Sequence, residues 1–484
     1  MFWGRCLCFC FALHALLVSA ADNDYLMQLQ QQARSQKLAQ HPEWLNLLHY
    51  KPYSFSSASR SLADDPKFFN APHGNRDAAA ELDATLAVFF SSFEETDKQQ
   101  NPQCAFIARY QWLKRELAFD SAKLTEQPCR RFHAWYATLN PHEVTLIFPA
   151  AFLNSPSSMY GHTLLRIDAK DQDEQTRLLA YAINYAANTD EPQGFLYAYK
   201  GLTGGYPGMF SSMPYYLKVR EYNDFENRDI WECRRNLRPE EVERIFVQVW
   251  ELGPLYFNYF FIDENCSYHL LSLLEVARTG LQLTDRFRWA AIPSDTVRAV
   301  TEQAGLLKEA VYRPSTAAGI RSRLEKLSMA EQAKAKKLAQ GSLQANDAEI
   351  TQLAPTQRAA VMELGIEYQA YLRAGKAETP LLAAQSRSLL TARSQLDTPN
   401  NDAVIPTPAV RPDQGHKTSR VDVGYGVQDG AHFQELVWRP SYHELIDPEA
   451  GYNRGAQIQF FRFALRHYAD EKKTRLEKFV PIDI

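Results

Sequence analysis

The middle of the chain changes from strand-type runs to strongly apolar helices, and this order constrains the fold most. Three runs read as β-strands, namely residues 144–148, 162–168 and 178–185. The polar stretch 169–176 predicts a hairpin loop, residues 194–214 a long loop and residues 216–221 a further strand. Helical periodicity then begins at Pro239 and again at Asn265. Strands and helices grouped in this way predict an α+β fold.

Residues 1–20 have the pattern of a secretory signal. Arg5 provides the positive start, a short apolar run follows, and Val18-Ser19-Ala20 ends in small residues that suit cleavage. The run is too short to span a bilayer as a stable helix. We therefore expect export across the inner membrane to the periplasm or envelope. The formal net charge of −4 provides no electrostatic footprint for a nucleic-acid partner.

The sequence predicts six regions along the chain. They are a signal peptide (1–20), a helical N-terminal region (21–140), a central domain (141–290), a helical region (291–396), a linker (397–417) and a β-type C-terminal region (418–484). In the last region apolar residues alternate along 421–427 and Asp429-Gly430 predicts a turn. This region either packs on the rest of the chain, pairs with a partner or begins a larger β domain. Outer-membrane association through it is a further expectation.

Four cysteines follow the signal: Cys104, Cys129, Cys233 and Cys266. In an oxidising compartment they allow two disulfides, or one disulfide and two free thiols. Cys104 and Cys129 flank one short helical stretch, so a disulfide between them would close a modest loop. A free thiol outside the cytoplasm is prone to oxidation, and its presence calls for a reason.

Cys266 lies in the first turn of an apolar helix, where a thiol nucleophile would be placed. Asn265 is a good N-cap, and the unpaired N–H groups of the first turn lower the pKa of a thiol and can receive an oxyanion. A small buried core cysteine is the structural alternative, and position alone does not separate the two.

His162 is the best candidate for the base, with a structural histidine as the alternative. If the strands around it pair about residues 172–173, His162 lies opposite Asn184, with Cβ atoms about 4.5–5.5 Å apart. Asn184 would then orient the imidazole, as in Cys-His-Asn enzymes. A slip of one residue would put Asn184 on the wrong face.

Several runs resemble the Lnb N-terminal periplasmic domain family, a bacterial envelope domain formerly of unknown function. They are Phe148-Pro149-Ala150-Ala151-Phe152-Leu153-Asn154-Ser155-Pro156, Ser158-Met159-Tyr160-Gly161-His162-Thr163, Ala182-Ile183-Asn184-Tyr185, Arg220-Glu221-Tyr222 and Asp263-Glu264-Asn265-Cys266-Ser267-Tyr268-His269. The likeness is strong over residues 144–277 and weaker over the N-terminal helical part, including Cys104 and Cys129.

The resemblance implies a permuted papain-like, NlpC-type fold, with the histidine strands before the cysteine helix. Lecithin:retinol acyltransferase is similar in its Asn-Cys pair, and the namesake of the family moves an acyl chain onto the N-terminal amine of a lipoprotein. By this likeness Cys266 is the nucleophile of a thioester mechanism and His162 its base, with Tyr160 and Asn265 supporting them. An acyl-bearing lipid or lipoprotein is the expected substrate, with a membrane surface nearby and no cofactor or metal. The long helical region and the β-type tail depart from the namesake, so its substrate need not carry over.

Three alternatives stay open. A peptidoglycan peptidase or amidase would keep the fold and change the substrate. A zinc site would use His162, Cys233, Cys266 and His269. A non-catalytic envelope scaffold would join Cys233 to Cys266 in a disulfide. The aromatic residues within 194–214 either line an acyl channel, touch a membrane or pack over the sheet.

Overall fold

The structure is a computed structural model. It describes residues 20–52, 59–96, 99–151, 159–173, 176–191, 194–374, 377, 379–399, 405–453 and 455–484. The chain forms two compact units, one with the residues up to Tyr136 and Phe246–Leu255, the other with Ala137–Ile245 and Tyr256–Ile484. The expected signal peptide lies outside the described residues apart from Ala20. Within the described ranges, no helix has both the length and the hydropathy needed to cross a membrane.

The first unit is mainly helical. Its elements are α1 (Ala20–Ser35), α2 (Pro42–Leu47), β1 (Tyr50–Pro52), β2 (Ser59–Ser61), α3 (Ala78–Val88), α4 (Pro102–Ala105), α5 (Ile107–Leu117) and most of α6 (Arg130–Leu139). The buried guanidinium of Arg109 binds Glu81 at 2.8 Å and Glu251 at 2.6 Å, which compensates the burial of these charges. The expected disulfide between Cys104 and Cys129 is present.

The second unit is built on a seven-stranded antiparallel sheet. Its strands are β3 (Pro141–Pro149), β4 (Leu164–Ala169), β5 (Tyr181–Ala187), β6 (Tyr206–Pro214), β7 (Ile230–Arg235), β8 (Phe257–Tyr259) and β9 (Leu307–Arg313). They lie in the order β8-β6-β5-β4-β3-β7-β9, with every neighbouring pair antiparallel. The prediction of an α+β fold is confirmed.

Helices are interspersed with these strands along the chain, and two sequence predictions for this stretch are wrong. The helices are α7 (Phe195–Leu202), α8 (Tyr215–Val219), α9 (Pro239–Leu252), α10 (Cys266–Ala277) and α11 (Pro293–Thr301). Residues 194–214, predicted as a loop, form α7 and β6. Gly208 there reflects close packing, because a Cβ at this position would lie 2.2 Å from the Tyr185 hydroxyl. Residues 216–221, predicted as a strand, belong to α8 and to the π-helical segment Arg220–Phe225, because so short a run does not fix its own period.

The rest of the second unit comprises a helical part and a second sheet. The helices are α12 (Thr316–Leu324), α13 (Met329–Gln340), α14 (Ala348–Thr351), α15 (Pro355–Arg373) and α16 (Pro380–Ser394). The strands are β10 (Arg420–Gln428), β11 (Ala431–Arg439), β12 (Ser441–His443), β13 (Ile458–Tyr468) and β14 (Lys473–Asp483). The predicted turn at Asp429-Gly430 is confirmed, with φ angles of 53° and 82°. The prediction of helix throughout residues 291–396 is wrong at β9, which pairs with β7.

The second sheet packs on the loop that precedes His162. The ring of Tyr160 lies 5.6 Å from that of Tyr442 in β12 and 6.3 Å from that of Phe460 in β13. The Ser441 hydroxyl donates to the Tyr160 hydroxyl at 3.3 Å. Of the three expectations for the C-terminal region, packing on the rest of the chain is therefore observed. Tyr160 therefore supports the site by packing the loop that carries His162 against the second sheet.

Candidate functional site

The buried Cys266 is the first residue of α10, and Asn265 fixes the start of that helix. The Asn265 side chain accepts hydrogen bonds from the backbone N–H groups of Ser267 and Tyr268, at 3.0 and 3.3 Å. Its amide nitrogen donates to the carbonyl oxygens of Phe261 at 3.2 Å and of Ala291 at 2.8 Å. Every hydrogen-bonding atom of this cap is thus used, which sets the position of the thiol.

His162 connects the thiol to Asn184. Its Nε2 lies 2.8 Å from Asn184 Oδ1, and its ring forms a hydrogen bond with the Cys266 side chain. Since Nε2 is engaged by the amide, Nδ1 is left to face the sulfur. The sequence placed these three residues together, and the structure does bring them into contact.

The strand register assumed for Asn184 is wrong, although the contact is present. Leu165 pairs with Ile183, whereas the assumed register would have paired it with Tyr181. A shift of two residues keeps the same side chains on the same face of the sheet. His162 itself lies before β4 begins and reaches Asn184 from the loop.

The pKa of the Cys266 thiol is lowered from 9.0 to about 7. Burial is the largest single effect and raises the pKa, but the positive charge of His162, its hydrogen bond and two further hydrogen bonds together lower it by more. Hydrogen bonds from the Thr163 backbone and from the Tyr259 hydroxyl add to this effect. The site therefore stabilises a thiolate near neutral pH.

Tyr259 is a site residue that the sequence did not indicate. Its hydroxyl oxygen accepts the Cys266 backbone N–H at 3.3 Å, and burial together with the nearby thiol raises its pKa well above 10.0. Tyr259 stays protonated and can donate to the sulfur. A tyrosine within a three-residue strand has no local pattern that would reveal this role.

A pocket opens beside His162. Its lining comprises His162, Asn184, Ala186, Ala187, Tyr197, Lys218, Glu221, Tyr222 and Tyr259. Lys218 Nζ binds Glu221 at 2.7 Å and lies 5.5 Å from the centre of the Tyr222 ring. Neither member of this ion pair was expected at the site. The pocket lining is mostly polar: two alanines are its only aliphatic side chains, beside tyrosine rings, His162, Asn184 and one charged pair.

The alternative uses of the cysteines are contradicted. Cys233 in β7 and Cys266 are both free, buried thiols, so the disulfide of the scaffold alternative is absent. His269 packs among aromatic rings, 4.3 Å from Tyr185 and 4.6 Å from Phe257. In the part of the chain that the structure describes, the zinc set of His162, Cys233, Cys266 and His269 is not assembled; ligand atoms within 4.8 Å of one another occur instead at His416, His443 and Asp447.

In the comparisons with known proteins, the central part of the chain matches one family model. Residues 131–303 match the family model described as the Lnb N-terminal periplasmic domain, which confirms the resemblance drawn from the motifs and indicates the periplasm or envelope. Three further models, each described as a domain of unknown function, match residues 36–116 (DUF7843), 310–404 (DUF7842) and 409–484 (DUF7840). No curated protein and no solved structure matches the chain.

Proposed function

Since residues 131–303 match the model of the Lnb N-terminal periplasmic domain, we propose that the chain is an envelope thiol acyltransferase or hydrolase that works through an acyl-Cys266 thioester. The observation that carries the proposal is the contact of His162 with both Cys266 and Asn184, in a site where the thiol pKa is about 7. A Cys-His-Asn arrangement of this kind serves acyl transfer in papain-like enzymes. The permuted papain-like fold is part of the proposal, because His162 and Asn184 precede the cysteine helix in the chain.

The first half of the reaction forms the thioester. The Cys266 thiolate attacks the ester carbonyl, and the carbonyl oxygen takes the negative charge. The Tyr259 hydroxyl, close to the Cys266 backbone N–H, is placed to donate to that oxygen. The carbon–oxygen bond of the ester then breaks, and the imidazolium of His162 gives its proton to the departing alcohol.

The second half releases the acyl group. His162, now neutral, takes a proton from an attacking amine or water. The new bond forms at the thioester carbon, the carbon–sulfur bond breaks and the thiolate returns. Asn184 holds the imidazole in one orientation through both halves. An acyl-bearing lipid or lipoprotein is the proposed donor, by the likeness of residues 131–303 to the Lnb N-terminal periplasmic domain.

The test is to trap the acyl-enzyme. Incubation with a lipid ester should add one acyl group to the purified chain, visible by intact mass and removable by hydroxylamine. The adduct should be absent in Cys266→Ala and present in the matched control Cys233→Ala, which removes the other free thiol. An adduct that survives in Cys266→Ala would contradict the proposal. If the protein cleaves peptidoglycan peptides and forms no acyl adduct with lipid esters, the alternative function of a peptidoglycan peptidase would take the place of the acyltransferase.

A further inference from the structure

Three side chains that can bind a metal meet in the second sheet and the loops beside it. His416 lies in the loop before β10, His443 ends β12, and Asp447 lies in the loop after β12. The Nε2 atom of His416 lies 2.8 Å from Nδ1 of His443 and 3.8 Å from Oδ2 of Asp447. The three ligand atoms all lie within 4.8 Å of one another. Two imidazoles and a carboxylate are a ligand set that suits Zn²⁺.

The spacing of these atoms fits one tetrahedral ion. Bonds of about 2.0–2.2 Å to nitrogen and oxygen place two ligands of a tetrahedral zinc about 3.3 Å apart. The separations of 2.8 and 3.8 Å from His416 Nε2 lie about half an ångström on either side of this value. Side-chain rotations can therefore bring the three ligand atoms onto one ion without a change in the strands.

The ring of His416 is already oriented as a metal ligand. Its Nδ1 lies 2.7 Å from the Lys417 carbonyl oxygen, and Nδ1 carries the proton of this hydrogen bond because a carbonyl oxygen only accepts. In the neutral ring Nε2 then has the lone pair, and Nε2 is the atom that faces His443 and Asp447. Histidines that bind metals usually donate their second N–H to a carbonyl or carboxylate in this way. This hydrogen bond selects the tautomer that a metal requires, independently of how close the three ligand atoms lie.

Tyr452 holds both imidazoles in place. Its ring stacks on that of His416 at 4.2 Å with an interplanar angle of 16°, and on that of His443 at 4.4 Å with an angle of 6°. Its hydroxyl donates to the His416 carbonyl oxygen at 2.7 Å. His443 is buried, whereas the side chain of His416 is 17% exposed, so an ion can enter from solvent. The two nitrogen ligands are thus fixed before an ion arrives.

Asp447 also binds two arginines, so most of the affinity for a metal has to come from the imidazoles. Its Oδ1 accepts a hydrogen bond from Arg420 at 2.8 Å, and its Oδ2 accepts one from the Glu444 backbone N–H at 2.9 Å. Arg439 also donates to Oδ2. Carboxylates that bind metals are commonly held by such outer hydrogen bonds. Zinc is also bound by sets of three neutral histidines, so the pairing of Asp447 with arginines does not exclude the ion.

We propose that His416, His443 and Asp447 bind one Zn²⁺ ion, with a solvent molecule as the fourth ligand. The ion takes the place of the proton that lies between the two imidazoles, and this proton moves to Nε2 of His443. Each imidazole then presents one lone pair to the ion and keeps one N–H, so zinc binding to the two rings releases no proton.

The bound ion is a cross-link within the second sheet. It joins the loop before β10 to the end of β12 and to the loop that follows. Tyr442, the neighbour of His443 in β12, packs on Tyr160 at 5.6 Å. The ion therefore also stabilises the strand on which Tyr160 rests. This role lies outside the thiol chemistry and requires neither Cys266 nor turnover.

The test measures zinc binding by the full chain without a histidine tag and with Cys266→Ala, which removes that thiol as a competing ligand. After treatment with EDTA, calorimetric titration with Zn²⁺ and elemental analysis should find one ion per chain. His416→Gln and His443→Gln should each weaken binding by about a hundredfold or more, because a lost ligand costs more than a lost outer partner. The matched control is His467→Gln, since His467 lies in β13 of the same sheet and bonds to Thr474 at 3.0 Å. This control should bind zinc as before.

Co²⁺ in place of zinc reports the ligands directly. Two imidazoles and a carboxylate should give the visible absorption of tetrahedral Co²⁺ without a sulfur-to-cobalt charge-transfer band. Such a band would place the ion at Cys233 and overturn the proposal. So would the absence of bound zinc, unchanged binding in His416→Gln, or an equal loss in His467→Gln. If His443→Gln does not fold, His416→Gln decides the question, because its side chain lies in a loop and is partly exposed.

Discussion

Replacing His162 by Gln should abolish the low pKa of the Cys266 thiol. The imidazolium is the main group that offsets burial, which on its own raises the thiol pKa. The wild-type pKa is lowered from 9.0 to about 7, which corresponds to roughly 3 kcal/mol in favour of the thiolate. With the charge removed and burial unchanged, we expect a pKa of at least 9.0 in the variant.

The consequence for reactivity can be worked out. At pH 7 about half of the wild-type thiol is ionised, and about one in a hundred in the variant, a fiftyfold difference. A thiolate of higher pKa is intrinsically more nucleophilic, by about eightfold over two units. The alkylation rate at about pH 7 should therefore fall roughly sixfold, while the midpoint of the pH profile rises by about two units.

Iodoacetamide labelling followed by intact mass measures both quantities. Cys266→Ala identifies the signal, and Cys233, whose pKa burial raises, should label only at higher pH. A His162→Gln profile with its midpoint still at about pH 7 would refute the reasoning, because the imidazolium would then not be the group that lowers the thiol pKa.

Three further predictions concern other parts of the molecule. Asn184→Ala removes the hydrogen bond to His162, and kcat/KM for the ester substrate should fall about 10- to 150-fold, equivalent to 1.5–3 kcal/mol, without loss of secondary structure by circular dichroism. Replacing Cys104 and Cys129 by Ala opens a loop with a sequence separation of 25, and urea denaturation should show a loss of about 3.5 kcal/mol. Burial lowers the pKa of His49 from 6.5 to about 3. As pH falls below 6.5, His49 is therefore protonated in the unfolded chain but not in the folded one. The free energy of unfolding should fall by about 1.4 kcal/mol for each pH unit. Asn tolerates the φ of 54° at this position, so His49→Asn is the suitable variant. In urea titrations its free energy of unfolding should depend less on pH than that of the wild type. An equal dependence on pH would contradict the prediction.

The parts of the site that follow from local sequence could be predicted. The cap at Asn265 and the helix that starts at Cys266 depend on neighbouring residues alone. Asn184 was found because alternation along a strand assigns its face. The register was missed because the short 3₁₀ helix Thr176–Leu179 lies in the hairpin connection and shifts the pairing by two residues.

The remaining site residues depend on contacts between distant segments. Tyr259 reaches the thiol from the edge strand β8, and Lys218 reaches the pocket from a helix that had been predicted as a strand. No spacing in the sequence connects either of them with His162. Their positions depend on how the edge strand and the helix pack near His162, and these contacts are seen only in the folded structure.

Tyr160 contacts the terminal sheet, although the two regions match separate family models. This contact should couple sequence changes in one region to sequence changes in the other. Tyr160 lies two residues before His162 and packs against Tyr442 and Phe460. A change in β12 would therefore disturb the loop that carries His162 unless a change near Tyr160 accompanied it. Among relatives, the two positions should vary together. An exchange of the terminal sheet between distant relatives should be tolerated only when the loop before the histidine is exchanged with it.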